Sequence, residues 1–453
     1  MQKPPRHLLS KSTFMYGCQC TKRLWLHKFM PSERDEQDEA QTAFFQQGTD
    51  IGLLAQQRFL NGVDASPETF FEYQKSIVKT AELIEAGKTI IYEAAFQFNG
   101  ILCAIDILVK EKNKWYAYEV KSSTSAKDTF VKDAALQYYV ITNSGIELED
   151  IFILHLNSDY VRYGELDLNE LFTPTSVKDQ VLDLQPFIER KEVELKDVLK
   201  LKTAPTIEMG NQCHKPYDCD FIGYCSKNIE RIPPDFGEEN IDRVAIQEFV
   251  DQLKYPLYFM DFETWSSPIP EQDGHWPYRQ VPFQFSVHIK MDEKSPLEHY
   301  EYLAENTNSV LREFIEQLIS ILGTSGSIVV YNKTFENTRL RELKEDYIEL
   351  QEIVENIQNR MIDLMVPFRK KYYYKPQMQQ SYSIKYVLPA LIPELQYSDL
   401  EIGNGGDASA AFYNLKKEAD LLKVIEIRNA LLEYCKLDTL AMVKILEKIK
   451  QVI

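Results

Sequence analysis

The sequence predicts an α/β protein with two domains. At 453 residues, the chain is longer than one ordinary hydrophobic core organises. Strand-like and helical apolar patterns alternate between residues 85 and 156, and again from Leu257 onward. A proline- and glycine-containing stretch at 232–237 separates the two regions and is typical of a linker. We therefore expect one domain over 1–232 and a second over 233–453.

In the first region, short segments rich in β-branched and bulky residues predict strands. Asn99-Gly100 stands between the first two of them and predicts a tight hairpin turn. A helical pattern then separates two further strands. The predicted strands cover 89–92, 101–105, 115–120 and 151–156, and the predicted helix covers 131–143.

The second region shows the same alternation but ends in a long helical pattern. Gly-Asn-Gly-Gly-Asp-Ala-Ser at 403–409 predicts a flexible loop before that helix. The predicted strands cover 257–260, 283–289 and 327–331, and the predicted helices cover 308–322 and 416–450.

Composition and charge narrow the function classes. Hydrophobic residues make up 44% and charged residues 26%, as in soluble globular proteins. No apolar run is long enough to cross a bilayer, and the basic start lacks an apolar stretch after it, so we expect a cytoplasmic protein without a membrane partner. The net charge of −18 disfavours a protein that coats nucleic acid with a broad basic surface, but permits local contacts.

Five residues in the second region form a set that suits metal-dependent phosphodiester chemistry. Asp261 and Glu263 are two apart on a predicted strand and share a face, Glu336 begins a helix, and Tyr434 and Asp438 share one face of the last helix. Carboxylates are the ligands that hard divalent ions prefer. Four carboxylates can hold two ions that together clamp the attacking and leaving oxygens of a phosphodiester.

These motifs resemble those of the DEDD 3′–5′ exonucleases on the ribonuclease H-like fold, especially the proofreading domains of family-B DNA polymerases. The resembling segments are 258–264, 331–340 and 434–438. The resemblance implies Mg²⁺ or Mn²⁺ as cofactor and Tyr434 as the residue that orients or deprotonates the attacking water. Glu336 stands where that family usually has aspartate. The metal ligands implied are Asp261, Glu263, Glu336 and Asp438.

A second acidic set lies in the first region, where Asp106 is followed by the Glu-x-Lys pattern of Glu119 and Lys121 at the end of a strand. Such acids can hold a metal that activates water, and the lysine can stabilise charge on the phosphate. Glu-x-Lys alone is common on exposed strands, but here a hairpin precedes it and Gln137 follows on a helix.

This arrangement resembles the RecB-like branch of the PD-(D/E)XK nucleases, which form a restriction-endonuclease-like fold. Its nearest parallels are the CRISPR-associated RecB-like exonucleases and the nuclease domain of the AddAB helicase–nuclease. The resemblance implies Asp106 and Glu119 as metal ligands, Lys121 as a catalytic residue and Gln137 as part of an accessory motif. The histidine that this branch carries upstream is missing, and only Asp50 stands near its place.

Seven cysteines in a chain expected to be cytoplasmic favour metal or sulfur chemistry over disulfides. One early and three late cysteines resemble the iron–sulfur motif of the same RecB-like branch. That resemblance implies a [4Fe-4S] cluster that ties the ends of the first domain together, with Zn²⁺ as the alternative. Cys18 is an alternative to the early ligand. The implied ligands are Cys20, Cys213, Cys219 and Cys225.

The sequence thus predicts a divalent-metal-dependent nuclease with two active centres, acting on DNA with single-stranded ends. The pairing resembles a bacterial family catalogued as a domain of unknown function. Two alternatives stay open: a nucleic-acid-binding scaffold with inactive centres that recruits a helicase or defence complex, and an RNA-directed exonuclease. Tyrosines 372–374, beside basic residues 369–371, either stack bases or form a partly buried aromatic strand.

Overall fold

The computed structural model describes residues 7–36, 39–69, 72–227, 235–305, 310–397, 400–415 and 418–453, with the backbone alone described over 39–47. The chain divides into two compact units. Unit 1 comprises Met1–Arg231 and Pro268–Pro277, and unit 2 comprises Ile232–Ser267 and Tyr278–Ile453. Residues 232–234 of the predicted linker lie outside the described residues.

Unit 1 is built on one seven-stranded sheet. Its strands are β1 (Leu9–Ser10), β2 (Val63–Asp64), β3 (Ile90–Phe98), β4 (Ile101–Glu111), β5 (Lys114–Lys121), β6 (Leu148–Leu156) and β7 (Phe172–Ser176). Its helices are α1 (Lys11–Gln19), α2 (Thr21–Phe29), α3 (Glu39–Gln56), α4 (Tyr73–Glu85), α5 (Asp128–Asn143), α6 (Leu168–Leu171), α7 (Lys178–Val198) and α8 (Ile222–Ser226).

The sheet of unit 1 runs in the order β2-β3-β4-β5-β6-β7, and β1 also pairs with β4. Strands β3 and β4 form the predicted hairpin, and Asn99 and Gly100 adopt φ of 47° and 76°, as a tight hairpin turn requires. Strands β5 and β6 are parallel and are joined through α5, whose Ala134, Leu136 and Val140 are buried. The β-hairpin followed by a β–α–β unit places the predicted acidic residues on the central strands.

The segment Pro268–Pro277 follows the first strand of the predicted second domain in sequence, yet it packs within unit 1. Backbone hydrogen bonds hold it there: Arg162 N–H donates to His275 O at 2.9 Å, and Gly274 N–H donates to Arg162 O at 2.8 Å. The guanidinium of Arg162 also donates to Pro270 O at 3.0 Å. No local sequence pattern predicted this excursion, because these contacts join residues more than 100 positions apart.

Unit 2 contains the remaining elements. Its strands are β8 (Asn240–Ile241), β9 (Leu257–Trp265), β10 (Val281–Lys290), β11 (Leu297–Leu303), β12 (Ser327–Val330), β13 (Met361–Asp363) and β14 (Tyr373–Tyr374). Its helices are α9 (Arg243–Val250), α10 (Val310–Leu322), α11 (Lys333–Asp346), α12 (Gln351–Arg360), α13 (Val366–Arg369), α14 (Ile384–Leu391), α15 (Gly405–Leu415) and α16 (Leu421–Lys450).

A five-stranded mixed sheet forms the centre of unit 2, in the order β11-β10-β9-β12-β13. Strands β9, β10 and β11 are antiparallel, whereas β12 and β13 run parallel to β9. The central strand β9 is apolar over Leu257–Met260, as expected for a strand covered on both faces. Helix α16 packs against β9 and β10 through residues such as Met442 and Ile445.

Two expectations for unit 2 are corrected. The predicted flexible loop 403–409 is wrong over its last five residues, since helix α15 begins at Gly405. Base stacking by Tyr373 and Tyr374 is also wrong, because strand β14 pairs with β8 and leaves these rings only 4% and 6% exposed. The partly buried aromatic strand was the correct interpretation of that segment. None of the described helices is both long and apolar enough to cross a membrane.

Candidate metal centres

The carboxylates of unit 2 converge at one open cleft of about 530 Å³. Ligand oxygens of Asp261, Glu263 and Asp438 all lie within 4.8 Å of one another. Strand β9 supplies the first two and helix α16 supplies the third, so residues distant in sequence meet at one point. The cleft is lined by these acids together with Phe262, Thr264, Ser266, Gln280, Tyr331, Asn332, Phe335, Glu336, Ile384, Gly405, Gly406, Ser409, Tyr434 and Met442.

Glu336 lies in the first turn of α11, directly after β12. The turn between them passes through Asn332, whose φ of 75° is left-handed, and the Asp363 carboxylate accepts the Asn332 N–H at 3.0 Å. Glu336 is 2% exposed, and its Oε2 is buried without a hydrogen-bond partner among the described residues. A buried carboxylate oxygen without a donor is costly unless a cation or water satisfies it.

Burial disfavours the charged forms of all four acids, and neighbouring carboxylates add to this effect at Asp261 and Glu263. Burial, then the charges of Asp438 and Glu263, raise the pKa of Asp261 well above its usual value. Burial and the charge of Asp438 likewise raise the pKa of Glu263, and burial raises the pKa of Glu336 to about 8. Burial also raises the pKa of Asp438 to about 6. A divalent cation would relieve this repulsion, since it supplies the positive charge that the cleft lacks.

Two tyrosines bracket Asp438. Tyr397 Oη donates to Asp438 Oδ1 at 2.6 Å, and this hydrogen bond lowers the pKa of Asp438 against the effect of burial. Tyr434 is one helical turn before Asp438 on α16 and also lowers the pKa of Asp438 by hydrogen bonding. Burial raises the pKa of Tyr434, so its hydroxyl is protonated at neutral pH. The sequence predicted Tyr434 but missed Tyr397, which no motif marked.

Lys385 and Gly405 complete the surroundings of Glu263. The ammonium of Lys385 lowers the pKa of Glu263 and Asp438, and its Nζ donates to Gly403 O at 2.8 Å. Gly405 brings the backbone close to the acids, because a Cβ at this position would lie 3.3 Å from Glu263 Oε2. Neither residue was predicted, although the glycine-rich stretch 403–406 was a local signal of close backbone approach.

The residues of this cleft fit a hard divalent cation. The donor set is entirely carboxylate, as Mg²⁺ and Mn²⁺ prefer. Three of the oxygens already lie within one coordination sphere of each other, and the orphaned Oε2 of Glu336 lines the same cleft. All five residues predicted from the sequence for this site line it.

The acidic set of unit 1 lies where β4 and β5 separate. The register pairs Ile107 with Tyr118, which brings Asp106 opposite Glu119 at the next position. Asp106 Oδ2 accepts the Val120 N–H at 2.6 Å, so the carboxylate of Asp106 takes the place of a backbone carbonyl as the acceptor between β4 and β5. Burial, followed by the charge of Glu119, raises the pKa of Asp106 to about 7.

Glu119 is 1% exposed and is held by three side chains. Its Oε1 accepts from Lys11 Nζ at 2.6 Å and from Lys121 Nζ at 2.8 Å, and its Oε2 accepts from Gln137 Nε2 at 2.5 Å. Burial opposes ionisation, but the two lysines and Gln137 outweigh it and lower the pKa of Glu119 to about 2. Gln137 also donates to Ala104 O at 2.9 Å, which ties α5 to β4.

Three further titratable groups complete this site. Glu93 lies opposite Asp106 on β3 with φ of 51°, and burial together with Asp106 raises its pKa to about 8. Asp133 on α5 accepts from Lys121 at 3.0 Å. Lys11 comes from the start of α1, and no local sequence pattern marks its role. Asp50 is exposed on α3.

The two acidic sites differ in how their charge is offset. Among the His, Cys, Asp and Glu side chains of the described residues, one group of three presents ligand atoms within 4.8 Å of one another. It consists of Asp261, Glu263 and Asp438. In unit 1, lysine ammonium groups contact the central carboxylate instead. The residues still fit a divalent ion, since Gln137 Oε1 is buried without a partner among the described residues, and burial and neighbouring carboxylates raise the pKa values of Asp106 and Glu93.

The cysteines of unit 1 meet as the sequence resemblance implies. One pocket is lined by Cys20, Cys213, Cys219 and Cys225, together with Lys22, Arg23, Leu26, Ile207, Glu208, Met209, Gln212, Phe221 and Ile222. Cys20 is the residue between α1 and α2. Cys18 packs against the main core of unit 1, where burial raises its pKa to about 11.

The region around the cysteine pocket combines a small apolar core with several polar links. Its own core contains only Trp25, Leu26 and Phe221 as buried members among the described residues. Polar links join the early and late segments: Gln19 Nε2 donates to Tyr217 O at 2.7 Å, and Arg23 pairs with Asp220 at 2.7 Å. So small a core usually needs a metal or covalent staple, and four thiols around one pocket fit that requirement.

The sulfur spacing bears on which group fits. A tetrahedral zinc site with Zn–S bonds of 2.3 Å places its sulfurs about 3.8 Å apart. No three of the four sulfurs approach within 4.8 Å of one another, as judged over the described residues, which include all four cysteines. An iron–sulfur cluster holds its ligands farther apart, because four iron atoms stand between them.

A protein family and a curated protein each resemble part of this chain. Residues 258–383 match a family described as Domain of unknown function (DUF2779), a range that includes Asp261, Glu263 and Glu336. The chain is also 27% identical over 237 residues to Uncharacterized protein UU173 of Ureaplasma parvum serovar 3. The aligned region covers 47% of this chain and 34% of that relative. It thus spans about a third of the length of the curated relative that it matches. Over 258–383, then, the chain is similar to a family described as a domain of unknown function.

Proposed function

We propose that the protein is a divalent-metal-dependent nuclease whose main active centre is the acidic cleft of unit 2. One observation carries this proposal: Asp261, Glu263 and Asp438 present oxygens within 4.8 Å of one another in an open cleft that Glu336 also lines. Structural carboxylates are usually paired with cations or exposed to water. Four acids that are buried together and charged only at a cost are typical of a catalytic site.

Bound Mg²⁺ or Mn²⁺ would supply Lewis acidity and a water nucleophile activated at neutral pH. The residues that would hold the ions are Asp261, Glu263, Glu336 and Asp438. Tyr397 fixes one oxygen of Asp438, and Asp363 fixes the turn that aims Glu336 into the cleft. Glu336 lines the cleft, and in the resembled family an aspartate takes this place in the motif.

Tyr434 is assigned to orienting the attacking water rather than deprotonating it. Its raised pKa keeps the hydroxyl protonated, so it donates a hydrogen bond at neutral pH. Because its one proton is shared with Asp438, the Tyr434 hydroxyl would orient a water by accepting from it, or by donating to it once a metal takes Asp438. Lys385 adds a cation near the same acids and can attract the phosphate backbone of a substrate.

The fold of each unit supports its proposed class. A five-stranded mixed sheet with Asp261 and Glu263 on its central strand supports a ribonuclease H-like DEDD exonuclease in unit 2. A hairpin followed by a β–α–β unit, with Asp106, Glu119 and Gln137 gathered beside it, supports a RecB-like PD-(D/E)XK domain in unit 1.

Unit 1 is proposed as a second nuclease centre. Asp106 and Glu119 would hold the metal, and Lys121 would contact the phosphate or the nucleophile. The alternative, binding without cleavage, is favoured by one observation: Glu119 is already satisfied by Lys11, Lys121 and Gln137.

The cysteine pocket of unit 1 is proposed to hold a [4Fe-4S] cluster that staples α1 and α2 to the segment 207–225. Its ligands would be the four pocket cysteines, and its role would be structural. Zn²⁺ is the alternative occupant of the four thiolates.

The proposed substrate is a single-stranded end of DNA. Tyr382 and Tyr386 are 46% and 43% exposed on either side of Ile384, which lines the cleft. Exposed aromatic rings beside a lysine suit unpaired bases and phosphates. An RNA substrate is distinguished by comparing matched DNA and RNA strands, since recognition of the 2′-hydroxyl would favour RNA.

The direct test is degradation of end-labelled single-stranded DNA by the full chain with Mg²⁺ or Mn²⁺. Asp261→Asn should remove activity that proceeds from the 3′ end, and Lys121→Ala should remove any activity of unit 1. If the wild type releases no nucleotide at any metal concentration, the enzyme proposal fails and the nucleic-acid-binding alternative stands.

A further inference from the structure

An unexpected cation occupies the acidic site of unit 1. Lys11 Nζ lies 2.6 Å from Glu119 Oε1, closer than the 2.8 Å of Lys121, which was the lysine expected there. Both ammonium groups therefore contact a single carboxylate oxygen. Two like charges share one acceptor only where the surrounding negative charge outweighs their repulsion.

That negative charge comes from Glu119, Asp106 and Asp133. Glu119 contacts Lys11 directly, while Asp106 and Asp133 stabilise its charge through space, so the pKa of Lys11 is raised although burial acts against it. Glu93 lies opposite Asp106, but its pKa of about 8 leaves it mostly protonated at neutral pH. Glu119 and Asp133 both contact Lys121, and together with Asp106 they carry more negative charge than Lys121 alone balances.

The backbone of Lys11 is fixed, whereas its side chain is not enclosed. Strand β1 pairs with β4 through Leu9 and Ser10, and Ser10 caps α1 through a reciprocal hydrogen bond with Thr13. Lys11 is thus anchored at the first position of α1, beside the strand that carries Asp106. Its side chain is 27% exposed, against 2% for that of Glu119, so part of the Lys11 side chain reaches solvent.

Lys121 is held differently. It forms a second ion pair with Asp133 at 3.0 Å, and its Nζ lies 5.2 Å from the ring centre of Phe130. Withdrawing Lys121 would break the contacts with Asp133 and Phe130 as well as its ion pair with Glu119. Withdrawing Lys11 would break the contact with Glu119 and leave Glu119 Oε1 paired with Lys121.

We propose that Lys11 is an internal counter-ion that competes with a divalent cation for Glu119, so that metal binding in unit 1 requires the Lys11 ammonium to leave. This inference rests on the proposed metal site of unit 1. It makes Lys11 a residue that sets metal affinity: the site remains charge-balanced without metal and loads at a higher metal concentration than it would without this lysine.

The test measures Mn²⁺ binding to the full chain by electron paramagnetic resonance, in a background carrying Asp261→Asn and Asp438→Asn to silence unit 2. Lys11→Gln should tighten Mn²⁺ binding by roughly tenfold or more, because a competing charge is removed. The matched control is Lys132→Gln, an exposed lysine on α5, which should change the affinity by less than about twofold.

Equal or weaker binding by Lys11→Gln, with clear binding in the background protein, overturns the role of Lys11 and leaves the metal site intact. No binding in any variant overturns both the metal site of unit 1 and this inference. Amine labelling of Lys11 in the protein with native residues provides a second readout that needs no substitution at Lys11. Mn²⁺ should increase acetylation of Lys11, and unchanged labelling at saturating Mn²⁺ would also overturn the proposal.

Discussion

Tyr397 donates a 2.6 Å hydrogen bond to Asp438 Oδ1, joining a residue that follows α14 to a carboxylate on α16. The pKa of Asp438 is raised less than that of Glu336 in the same cleft: it is about 6, against about 8 for Glu336. The hydrogen bond favours the ionised form of Asp438. Tyr397 thus keeps one ligand charged in a cleft where burial disfavours charge.

Removing this hydrogen bond should weaken metal binding. Tyr397→Phe takes away the donor, so the pKa of Asp438 rises and protons compete with the metal. We expect the Mn²⁺ concentration for half-maximal activity at pH 7 to increase by roughly tenfold, as for other groups that orient a metal ligand. The maximal rate should recover at high Mn²⁺. Tyr300→Phe, at an exposed position outside the cleft, is the control, and an unchanged metal requirement in Tyr397→Phe would contradict this role.

Glu336 should make the metal-free protein less stable as pH rises. Its folded pKa is about 8 and its ordinary value is 4.5. Between these values the folded protein retains a proton that the unfolded chain has released, so stability falls with increasing pH. Glu336→Gln removes this term and should increase the free energy of unfolding at pH 8 by on the order of 2 to 4 kcal/mol, with little change at pH 4.

The measurement is urea denaturation in EDTA at several pH values between 4 and 8. Glu345→Gln, at an exposed position on the same helix, should leave the pH dependence unchanged. Parallel curves for Glu336→Gln and the wild type would show that Glu336 ionises normally in the folded protein.

Substituting a ligand in the cysteine pocket should remove the bound metal and destabilise unit 1. Protein purified without oxygen should absorb at about 400 nm and contain iron. Cys20→Ala should abolish the band and lower the melting temperature of unit 1, whereas Cys18→Ala should retain the band. Zinc without the band would identify the alternative metal. Retention of iron in Cys20→Ala, with loss in Cys18→Ala, would assign the early ligand to Cys18.

The exposed tyrosines near the cleft should contribute to substrate binding but not to metal binding. The double variant Tyr382→Ala/Tyr386→Ala should weaken binding of single-stranded DNA by tenfold or more, since base stacking contributes about 1 to 3 kcal/mol per base. Fluorescence anisotropy in EDTA measures this effect without cleavage. Tyr163→Ala, at a 75% exposed position in unit 1, is the control. Equal affinities for all three proteins would rule out stacking at Tyr382 and Tyr386.

Local sequence patterns predicted the elements that carry the acids. The Asn99-Gly100 turn and the apolar run before Asp261 are short-range signals, and both led to the observed strands. The edge strand β11 was missed because its alternate residues are exposed and it lacks a continuous apolar run. The start of α15 was missed because its glycines suggest a loop, although Gly405 is needed where the backbone approaches Glu263.

The groups that complete each site could not be found in this way. Lys11 contacts Glu119 across 108 residues, and Tyr397 contacts Asp438 across 41. Only the folded chain brings these pairs together, and a single lysine or tyrosine has no local signature. The place of the segment 268–277 in unit 1 could not be predicted either, because its hydrogen bonds to Arg162 join residues more than 100 positions apart.

The central claim is that the oxygens of Asp261, Glu263 and Asp438 hold a divalent cation. Crystals of the full chain grown with Mn²⁺, measured at the manganese absorption edge, test it most directly. We predict an anomalous peak about 2.1 Å from oxygens of these three residues, absent in Asp261→Asn crystals. A saturating Mn²⁺ concentration that gives no peak in this cleft would contradict the account.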